Sequence, residues 1–372
     1  MVQDTETPAA KPRRRVLRRM LWVLLFCAPA LMILLGAIFI SSVEPKFVLI
    51  NRVEDSGGWV GVTHPLGGWG RKDDDNLSLP AKLLGRITYI HVSQPILTGE
   101  DLIRIGGMSS LEVISLYLAP GTTEEDLLPI VSLPRLKWLN IYEGVATTER
   151  GMEMLSRLDS LESLAIGAPS VPPSGLLHFA QSPNLSRITL WKTTVDAGLA
   201  RALQNLKSLK RLRLLDCVIE DEAVEFLQMP QGVALDLENP SLTADGFRRL
   251  SSIQSLDKLT FYERHGPIPP DAFRGYSGVS RLRRIWIEDP ALDDAMLERI
   301  AGIDTLERLS SESNSLTDAG LMHLHGRKNL KEVSLSGSFS AEAIAELKKS
   351  LPGTKVYVSN PAVPIPTPTS QK

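Results

Sequence analysis

Cysteine and aromatic residues are scarce in this chain of 372 residues. It contains two cysteines, and Phe, Trp and Tyr together make 6% of the sequence. Two thiols cannot build a disulfide framework, which excludes the small disulfide-stapled folds. A formal net charge of only −2 argues against a nucleic-acid-binding protein. A hydrophobic content of 43% with 27 glycines excludes disordered and collagen-like chains.

Leucine, by contrast, is abundant, with 57 copies in the 372 residues. An excess of one aliphatic residue over aromatic residues indicates a repeating architecture rather than an ordinary enzyme domain. The length would otherwise suggest two or three domains, but a solenoid can use all of it in one body.

Positive charge is concentrated at the N-terminus. Residues 1–19 contain six Lys or Arg residues against two acidic ones, a formal +4. Residues 20–43 then have no ionisable side chain apart from the thiol of Cys27. At about 1.5 Å per residue, such a helix spans a hydrocarbon core of about 30 Å. We therefore predict a basic cytoplasmic tail over 1–19, a transmembrane signal-anchor helix over 20–43, and a repeat domain outside the cytoplasm.

A cleaved signal peptide is the competing interpretation of this N-terminus, because it too has a basic start and an apolar stretch. Its apolar region is normally shorter, and no convincing cleavage site precedes Ser41. Cleavage would give a secreted repeat protein instead of a single-pass protein of the cell membrane. A lipoprotein acceptor site at Cys27 is disfavoured by the bulky Phe26 before it and by the apolar residues after it.

From residue 87 one pattern recurs: an aliphatic residue, two variable residues, an aliphatic, one variable and another aliphatic. Each set alternates as a short strand does, whereas the apolar residues between sets follow the helical spacing of three and four. Asp196, Asp221 and Thr317 stand where helices are expected to begin. The sets lie 23 to 26 residues apart and begin at Ile87, Leu111, Leu136, Leu161, Leu185, Leu209, Gly232, Leu256, Leu282, Leu306, Leu330 and Gly353.

A single unit of this kind cannot bury its strand side and its helix side alone, but stacked units can. The sequence therefore predicts an α/β solenoid over residues 81–359, with about 12 repeats, a parallel inner sheet and outer helices.

The repeat resembles the leucine-rich repeat consensus L-x-x-L-x-L-x-x-N/C-x-L. The consensus is complete from Leu209 to Ile219, with Cys217 in the Asn/Cys place, and recurs from Leu306 to Leu316 with Ser311 in the third aliphatic place. The segment 316–321 is similar to the ribonuclease-inhibitor-like repeats of bacterial, often membrane-anchored, leucine-rich repeat proteins. The resemblance implies a horseshoe-shaped solenoid. The Asn/Cys place holds other residues at Pro95, Gly144, Pro169, Pro240 and Pro290, and Cys217 is expected to be a buried turn residue.

Two segments lie outside the repeats. Residues 44–80 are predicted to be a juxtamembrane linker and an N-terminal cap over the first core face. The acidic run 73–75 within it lacks the ligand spacing of a calcium loop and is expected to be a surface turn. Four prolines in residues 360–372 predict an extended, disordered tail.

No group of residues has the spacing of a catalytic or cofactor site. The six histidines lie in unrelated contexts, and no Gly-Lys-Ser/Thr loop for phosphate is present. We expect no enzymatic activity, no cofactor and no metal.

Strand alternation places the second, fourth and sixth residues after the start of each set on the open face of the inner sheet. These 36 positions contain eight of the twelve Tyr and Trp residues. Tyr and Trp favour strands in any case, but exposed amphipathic aromatics are also typical of recognition surfaces. The predicted partner-binding residues are Tyr89, Tyr117, Trp138, Tyr142, Arg187, Trp191, Arg211, Arg213, Tyr262, Arg284 and Trp286.

The arginines on this face favour an acidic or polar partner. The predicted function is the binding of a protein or peptide outside the cytoplasm, with a glycan of the cell envelope as the other ligand class and no nucleic acid. A cell-envelope scaffold without a specific ligand is the structural alternative.

Overall fold

The computed structural model describes residues 46–63, 69–70, 86–230, 232–262, 268–269, 271–288 and 292–360. Within these ranges, no helix combines the length and the apolar character needed to cross a bilayer. The segments predicted as basic tail, membrane helix, acidic run and disordered tail lie outside the described residues, apart from Asn360.

One sheet runs through the whole described body. Its strand order is β16-β15-β14-β13-β12-β11-β9-β7-β6-β5-β4-β3-β1-β2, and every pair from β3 to β16 is parallel. A second, small parallel pair joins β8 and β10. The strands are β1 Trp59–Thr63, β2 Trp69–Gly70, β3 Arg86–His91, β4 Val113–Leu116, β5 Trp138–Tyr142, β6 Ser163–Gly167, β7 Arg187–Trp191, β8 Thr194–Val195, β9 Arg211–Leu215, β10 Val218–Ile219, β11 Ala234–Glu238, β12 Leu256–Phe261, β13 Arg284–Ile287, β14 Arg308–Thr317, β15 Glu332–Ser338 and β16 Lys355–Ser359.

Each of the twelve predicted aliphatic sets lies on one strand of this parallel run, and the strands are joined by helical segments that stack on one another. Because stacked strands lie about 4.8 Å apart and packed helices about 8–10 Å apart, we expect the sheet on the inner curve of such a stack. The predicted leucine-rich solenoid is confirmed. Between the strands of the parallel run, the α-helices are Gly99–Gly106, Leu128–Val131, Glu149–Leu155, Pro173–Leu177, Ala197–Gln204, Asp221–Val224, Ala244–Leu250, Asp294–Ala301, Asp318–Met322 and Ala341–Ser350, with 3-10 turns at Glu124–Leu127, Val145–Thr147, His178–Gln181, Glu225–Leu227 and Tyr276–Gly278.

Side-chain caps begin several of these helices. Asp196 accepts a hydrogen bond from the amide of Leu199, and Thr317 caps its helix in the same way, as predicted. A helix also begins at Asp221, as predicted, with Glu220 in the cap position. The Asp221 carboxylate accepts a hydrogen bond at 2.6 Å from the hydroxyl of Thr243, which is the cap of the next helix. It therefore joins one repeat to the next.

The two ends of the sheet differ. At the N-terminal end, residues 46–55 form a helix that buries Leu49, Ile50 and Val53, and β1 pairs antiparallel with β3. At the C-terminal end, β16 is the edge strand of the described sheet, and its core-side residues Val356 and Val358 are only partly buried.

A register shift divides the sheet between β11 and β12. Leu235 pairs with Leu256, but Asp236 pairs with Lys258, so Asp257 is an extra residue in β12. Such a bulge re-aims the side chain next to it. Here the Asp257 carboxylate accepts a hydrogen bond from Arg284 of β13 at 2.6 Å.

Buried donors hold the turns that follow the strands. The Cys217 thiol is fully buried and lies 3.5 Å from the carbonyl of Leu190, and Thr193 donates to the carbonyl of Ala168 at 2.7 Å. Burial raises the pKa of Cys217 to about 11. The expected role of Cys217 as a buried turn residue is confirmed. Ser311 occupies its core position with a buried hydroxyl that has no hydrogen-bond partner among the described residues.

Candidate binding surface

The open sheet face is the surface formed by the outward-pointing residues of β3 to β16. In β6, β7 and β9 the outward residues are half-buried and alternate with fully buried core residues. The strand register aligns equivalent positions of neighbouring repeats, so that Tyr142, Gly167 and Trp191 lie side by side. Residues far apart in the sequence are thereby brought into rows across the sheet.

Three aromatic side chains form one such row, here called the aromatic row: Tyr117, Tyr142 and Trp191. The rings of Tyr117 and Tyr142 stack with centroids 4.5 Å apart at an interplanar angle of 11°. The ring of Tyr142 meets that of Trp191 at 89°, with centroids 4.9 Å apart. Offset-stacked and edge-to-face pairs are the arrangements that aromatic quadrupoles favour. The structure thus brings these three predicted residues into direct contact.

Gly167 provides the space in which Trp191 lies. A Cβ atom at Gly167 would be 2.8 to 3.0 Å from three atoms of the indole, so the ring covers the glycine directly. Trp191 is half-buried, so part of its indole remains accessible to a partner.

A polar group lies under the aromatic row. The fully buried hydroxyl of Ser115 is 3.1 Å from Nδ1 of His91 and accepts a hydrogen bond from Asn140 at 3.2 Å. Burial raises the pKa of Tyr142, partly offset by its hydrogen bond with Ser115. Burial also lowers the pKa of His91, which favours the neutral imidazole. These contacts hold the row from below.

The other predicted aromatics belong to separate groups. Tyr89 stacks on Trp59 of the N-terminal cap at 4.3 Å. Trp138 lies under the guanidinium of Arg187, 5.0 Å from the ring centroid. Tyr262 and Trp286 contact each other at 6.0 Å in the C-terminal half of the face. The predicted residues thus form several clusters rather than one continuous surface.

Ion pairs occupy the centre of the face. We call the seven side chains that form them the charge belt. Its basic members contact carboxylates of the same sheet at 2.6 to 2.8 Å, and Arg284 also lies 4.0 Å from Asp236. Its members are Arg211 with Asp236, Arg213 and Lys258 with Glu238, and Arg284 with Asp257.

Pairing within the charge belt corrects one expectation. The arginines were expected to favour an acidic partner, but they face carboxylates of their own sheet and so offer less positive charge. Arg187 behaves similarly, with Glu162 at 3.8 Å. Burial alone would raise the pKa of Glu238, yet hydrogen bonds from Lys258 and Arg213 outweigh it and lower that pKa. In the described part of the chain, no group of three or more potential ligand residues could hold a metal ion.

Sequence reasoning missed several residues of this surface. Nothing in the sequence singles out Gly167 or Ser115. A glycine or serine on the outward side of a strand becomes significant only when the side chains beside it in space are known. Asp236 and Glu238 did carry a signal, because they occupy outward positions of the repeat that follows Arg211 and Arg213. The register sets Asp236 opposite Arg213 and Glu238 opposite Leu215, so each arginine reaches a carboxylate diagonally across the two strands.

No protein-family model matches this chain, and no curated protein sequence matches it. Among solved structures, it is similar to an internalin from Listeria monocytogenes, with a TM-score of 0.35 and 16% identity over 71% of this chain and 63% of the internalin chain. It is also similar to a chain of the Toll–Spatzle complex from Drosophila, with a TM-score of 0.44 and 13% identity over 73% of this chain and 39% of that chain. The chain spans less than two thirds of either neighbour. At these scores neither similarity bears on what this chain binds, and the fold rests on its own strands and helices.

Proposed function

We propose that this chain is a non-enzymatic binding module that holds a protein or peptide against the aromatic row of its open sheet face. One observation carries the proposal: rings from three different repeats touch one another on the outward side of the sheet, and the largest of them lies flat over a glycine. Tyr and Trp give large contact areas with few rotamers, and they dominate the binding energy of many interfaces.

The row is also pre-organised. Tyr142 is fixed on one side by Tyr117, on the other by Trp191, and underneath by Ser115. Side chains that are already held in place lose little conformational entropy when a partner binds. A rigid aromatic surface with most nearby charges paired suits a partner segment of mainly apolar or neutral character.

Quantitative affinity capture tests this function. Full-length protein in detergent is incubated with membrane extract of its source cells, cross-linked, and compared with Trp191→Ala and Tyr142→Ala variants. We expect each variant to recover one and the same partner about 30-fold less well, because an aromatic hot spot contributes about 2 kcal/mol. Trp286→Ala, which removes an exposed indole outside the row, is the matched control.

Comparison of the variants distinguishes a binding module from a scaffold without a specific ligand. Equal recovery with all variants would contradict the binding role and favour the scaffold alternative. Arg211→Ala is unsuitable for this test, because it would remove the hydrogen bond at 2.6 Å to the buried Asp236 carboxylate and leave only Arg284, at 4.0 Å, nearby. Thermal unfolding of each variant shows whether a loss of capture reflects the surface or the fold.

The same module is a single-pass membrane protein with its repeats outside the cytoplasm. The support is sequence alone: the basic residues of 1–19 followed by 24 residues with no charged side chain. Protease treatment of intact cells should degrade the repeat domain and leave a short membrane-bound fragment that resists alkaline extraction. Protected repeats, or repeats released into the medium, would show that this placement is wrong.

A further inference from the structure

Two side-chain contacts cross strand β6 on the open sheet face. Tyr142 of β5 meets Trp191 of β7, with ring centroids 4.9 Å apart. Further along the same two strands, the guanidinium of Arg187 on β7 lies 5.0 Å from the ring centroid of Trp138 on β5. β5 and β7 pair with opposite edges of β6, so their backbones are about 9.6 Å apart. Each pair of side chains therefore leans over β6 from both sides.

Strand β6 presents only small side chains beneath these contacts. Its outward residues are Ser163, Ala165 and Gly167. The register sets Ser163 between Trp138 and Arg187, and the indole of Trp191 covers Gly167. Ala165 lies between the two contacts and is only half-buried. Because Ser163 and Gly167 are about 13 Å apart along the strand, a space for one side chain remains over Ala165, here called the slot.

Neutral polar groups close the other two sides of the slot. The register sets Asn140 of β5 and Thr189 of β7 on either side of Ala165. One N–H of the Asn140 carboxamide donates to Ser115 at 3.2 Å. Among the described residues, the oxygen of that carboxamide and the hydroxyl of Thr189 have no hydrogen-bond partner. A ligand in the slot thus meets aromatic walls, an apolar floor and free hydrogen-bonding groups.

This environment favours an aromatic side chain with a neutral polar group. The charge at the rim belongs to Arg187, which stacks on Trp138 and lies 3.8 Å from Glu162. A charged side chain would lose its water there without finding an unpaired opposite charge. A ring gains stacked or edge-to-face contacts with the walls beyond its buried area, and a phenol also brings a hydroxyl to Thr189. An aliphatic side chain gains neither.

We propose that the partner inserts a tyrosine side chain into the slot over Ala165, an inference that rests on the proposed binding function. The phenol ring packs between the two contacts that cross β6, with Trp191 on one side and Trp138 on the other. Its hydroxyl donates a hydrogen bond to the oxygen of Thr189. A tyrosine anchored in a pocket at the centre of an interface is typical of a binding hot spot.

A small probe tests the slot directly. N-acetyl-tyrosinamide is titrated against the full-length protein in detergent, and its binding is followed by saturation-transfer NMR. We expect a Kd of about 1 mM, as for a weak ligand of this size. N-acetyl-leucinamide should bind about fivefold more weakly, because it lacks the ring and the hydroxyl. Equal binding of the two probes would overturn the assignment of an aromatic ligand.

Two variants locate the probe. Ala165→Leu fills the slot from an outward position and should weaken the binding of N-acetyl-tyrosinamide about tenfold or more. Ser310→Leu enlarges the same half-buried outward position of another repeat and is the matched control, with no change expected. Thr189→Val removes the hydroxyl, so it should weaken N-acetyl-tyrosinamide about threefold and leave N-acetyl-phenylalaninamide unchanged. Unaltered binding to Ala165→Leu, or equal effects of Thr189→Val on both probes, would overturn the proposal.

Partner capture separates this inference from the proposed function. Ala165→Leu is added to the comparison of Trp191→Ala and Tyr142→Ala, and it should lose the same partner although no side chain has been removed. Loss of the partner in those two variants but not in Ala165→Leu would overturn the slot and leave the binding function standing. Equal capture by all variants would overturn both.

Discussion

The indole of Trp191 rests on Gly167, where a Cβ atom would lie 2.8 Å from Cε2 of the ring. Real Cβ atoms are essentially never found so close to a ring carbon, so Gly167→Ala must displace the indole. We expect partner binding to weaken about tenfold, because the aromatic row loses its fixed geometry. Near-ultraviolet circular dichroism should report the changed environment of Trp191, and the capture assay should report the loss of binding.

A double-mutant cycle controls for effects on the strand itself. In a Trp191→Ala background the indole no longer lies over residue 167, so the added methyl group should have no further effect on binding and should not destabilise β6. If Gly167→Ala weakens binding equally in both backgrounds, displacement of the Trp191 indole is not the reason.

The ion pair of Arg211 with Asp236 should matter more for stability than that of Arg187 with Glu162. The first pair joins at 2.6 Å a carboxylate that is 4% exposed, and the second joins two half-exposed groups at 3.8 Å. Arg211→Ala should lower the free energy of unfolding by about 1–3 kcal/mol, because it leaves a buried acceptor unsatisfied. Arg187→Ala should cost less than about 1 kcal/mol. Urea unfolding measures both values, and equal losses would contradict the difference in burial.

Glu238 makes stability depend on pH. Burial would raise its pKa, but hydrogen bonds from Lys258 and Arg213 outweigh burial, and the pKa in the folded state lies below the ordinary value of 4.5. The contribution of Glu238 to the free energy of unfolding is therefore fully present above pH values near the ordinary pKa. It is lost as the pH falls through the lower pKa of the folded state. Urea midpoints measured from about pH 6 to about pH 3 should fall, and fall less in Glu238→Gln.

Glu307→Gln is the matched control for this pH profile. The pKa of Glu307 is also lowered, chiefly by its hydrogen bond with Lys331, but Glu307 is 31% exposed against 13% for Glu238, and Lys331 is exposed. Because solvent screens this pair, Glu307→Gln should change the loss of stability at low pH much less than Glu238→Gln does. A profile that changes equally in both variants would show that the charge belt has no special role.

Strand and core positions could be predicted from the sequence because each repeat satisfies two periods at once. In the set Leu209, Leu212 and Leu214, for example, only one face of the strand can point into the core. Stacking applies the same constraint to every repeat along the chain. The extra residue Asp257 could not be predicted, because Leu256, Leu259 and Phe261 keep the same spacing in either register. In the observed register the Asp257 carboxylate contacts Arg284, which is 27 residues away, and the apolar spacing carries no sign of that contact.

Contacts within the aromatic row could be predicted in part. Tyr117, Tyr142 and Trp191 hold the same position in their repeats, and stacking brings equivalent positions together. The ring orientations follow instead from the neighbours: Trp191 lies flat because residue 167 has no side chain, and Tyr142 is held by Ser115. Such details depend on the residue of the adjacent repeat, which the period of the pattern does not specify.

Glycines in the first turn of the helices should differ in their tolerance of a methyl group. A Cβ atom at Gly246 would lie 2.5 Å from Oδ1 of Asp221, whose other oxygen accepts the hydrogen bond from Thr243 that joins the repeats. At Gly198, the closest atom would be 3.2 Å away and belongs to the cap of the same helix. Gly246→Ala must therefore move an inter-repeat contact, whereas Gly198→Ala leaves such contacts in place.

The two substitutions give opposite expected signs. Gly198→Ala should raise the free energy of unfolding by up to about 1 kcal/mol, since alanine favours a helix over glycine by about that amount. Gly246→Ala should lower it by about 1–2 kcal/mol, because the clash displaces Asp221 from Thr243 and outweighs the gain in helix propensity. Urea unfolding followed by circular dichroism measures both. Adding Asp221→Ala removes the closest atom and leaves Cδ2 of Leu242, at 2.9 Å, as the remaining close contact. The penalty at Gly246 should therefore shrink in that background; if it is unchanged, the carboxylate is not its cause.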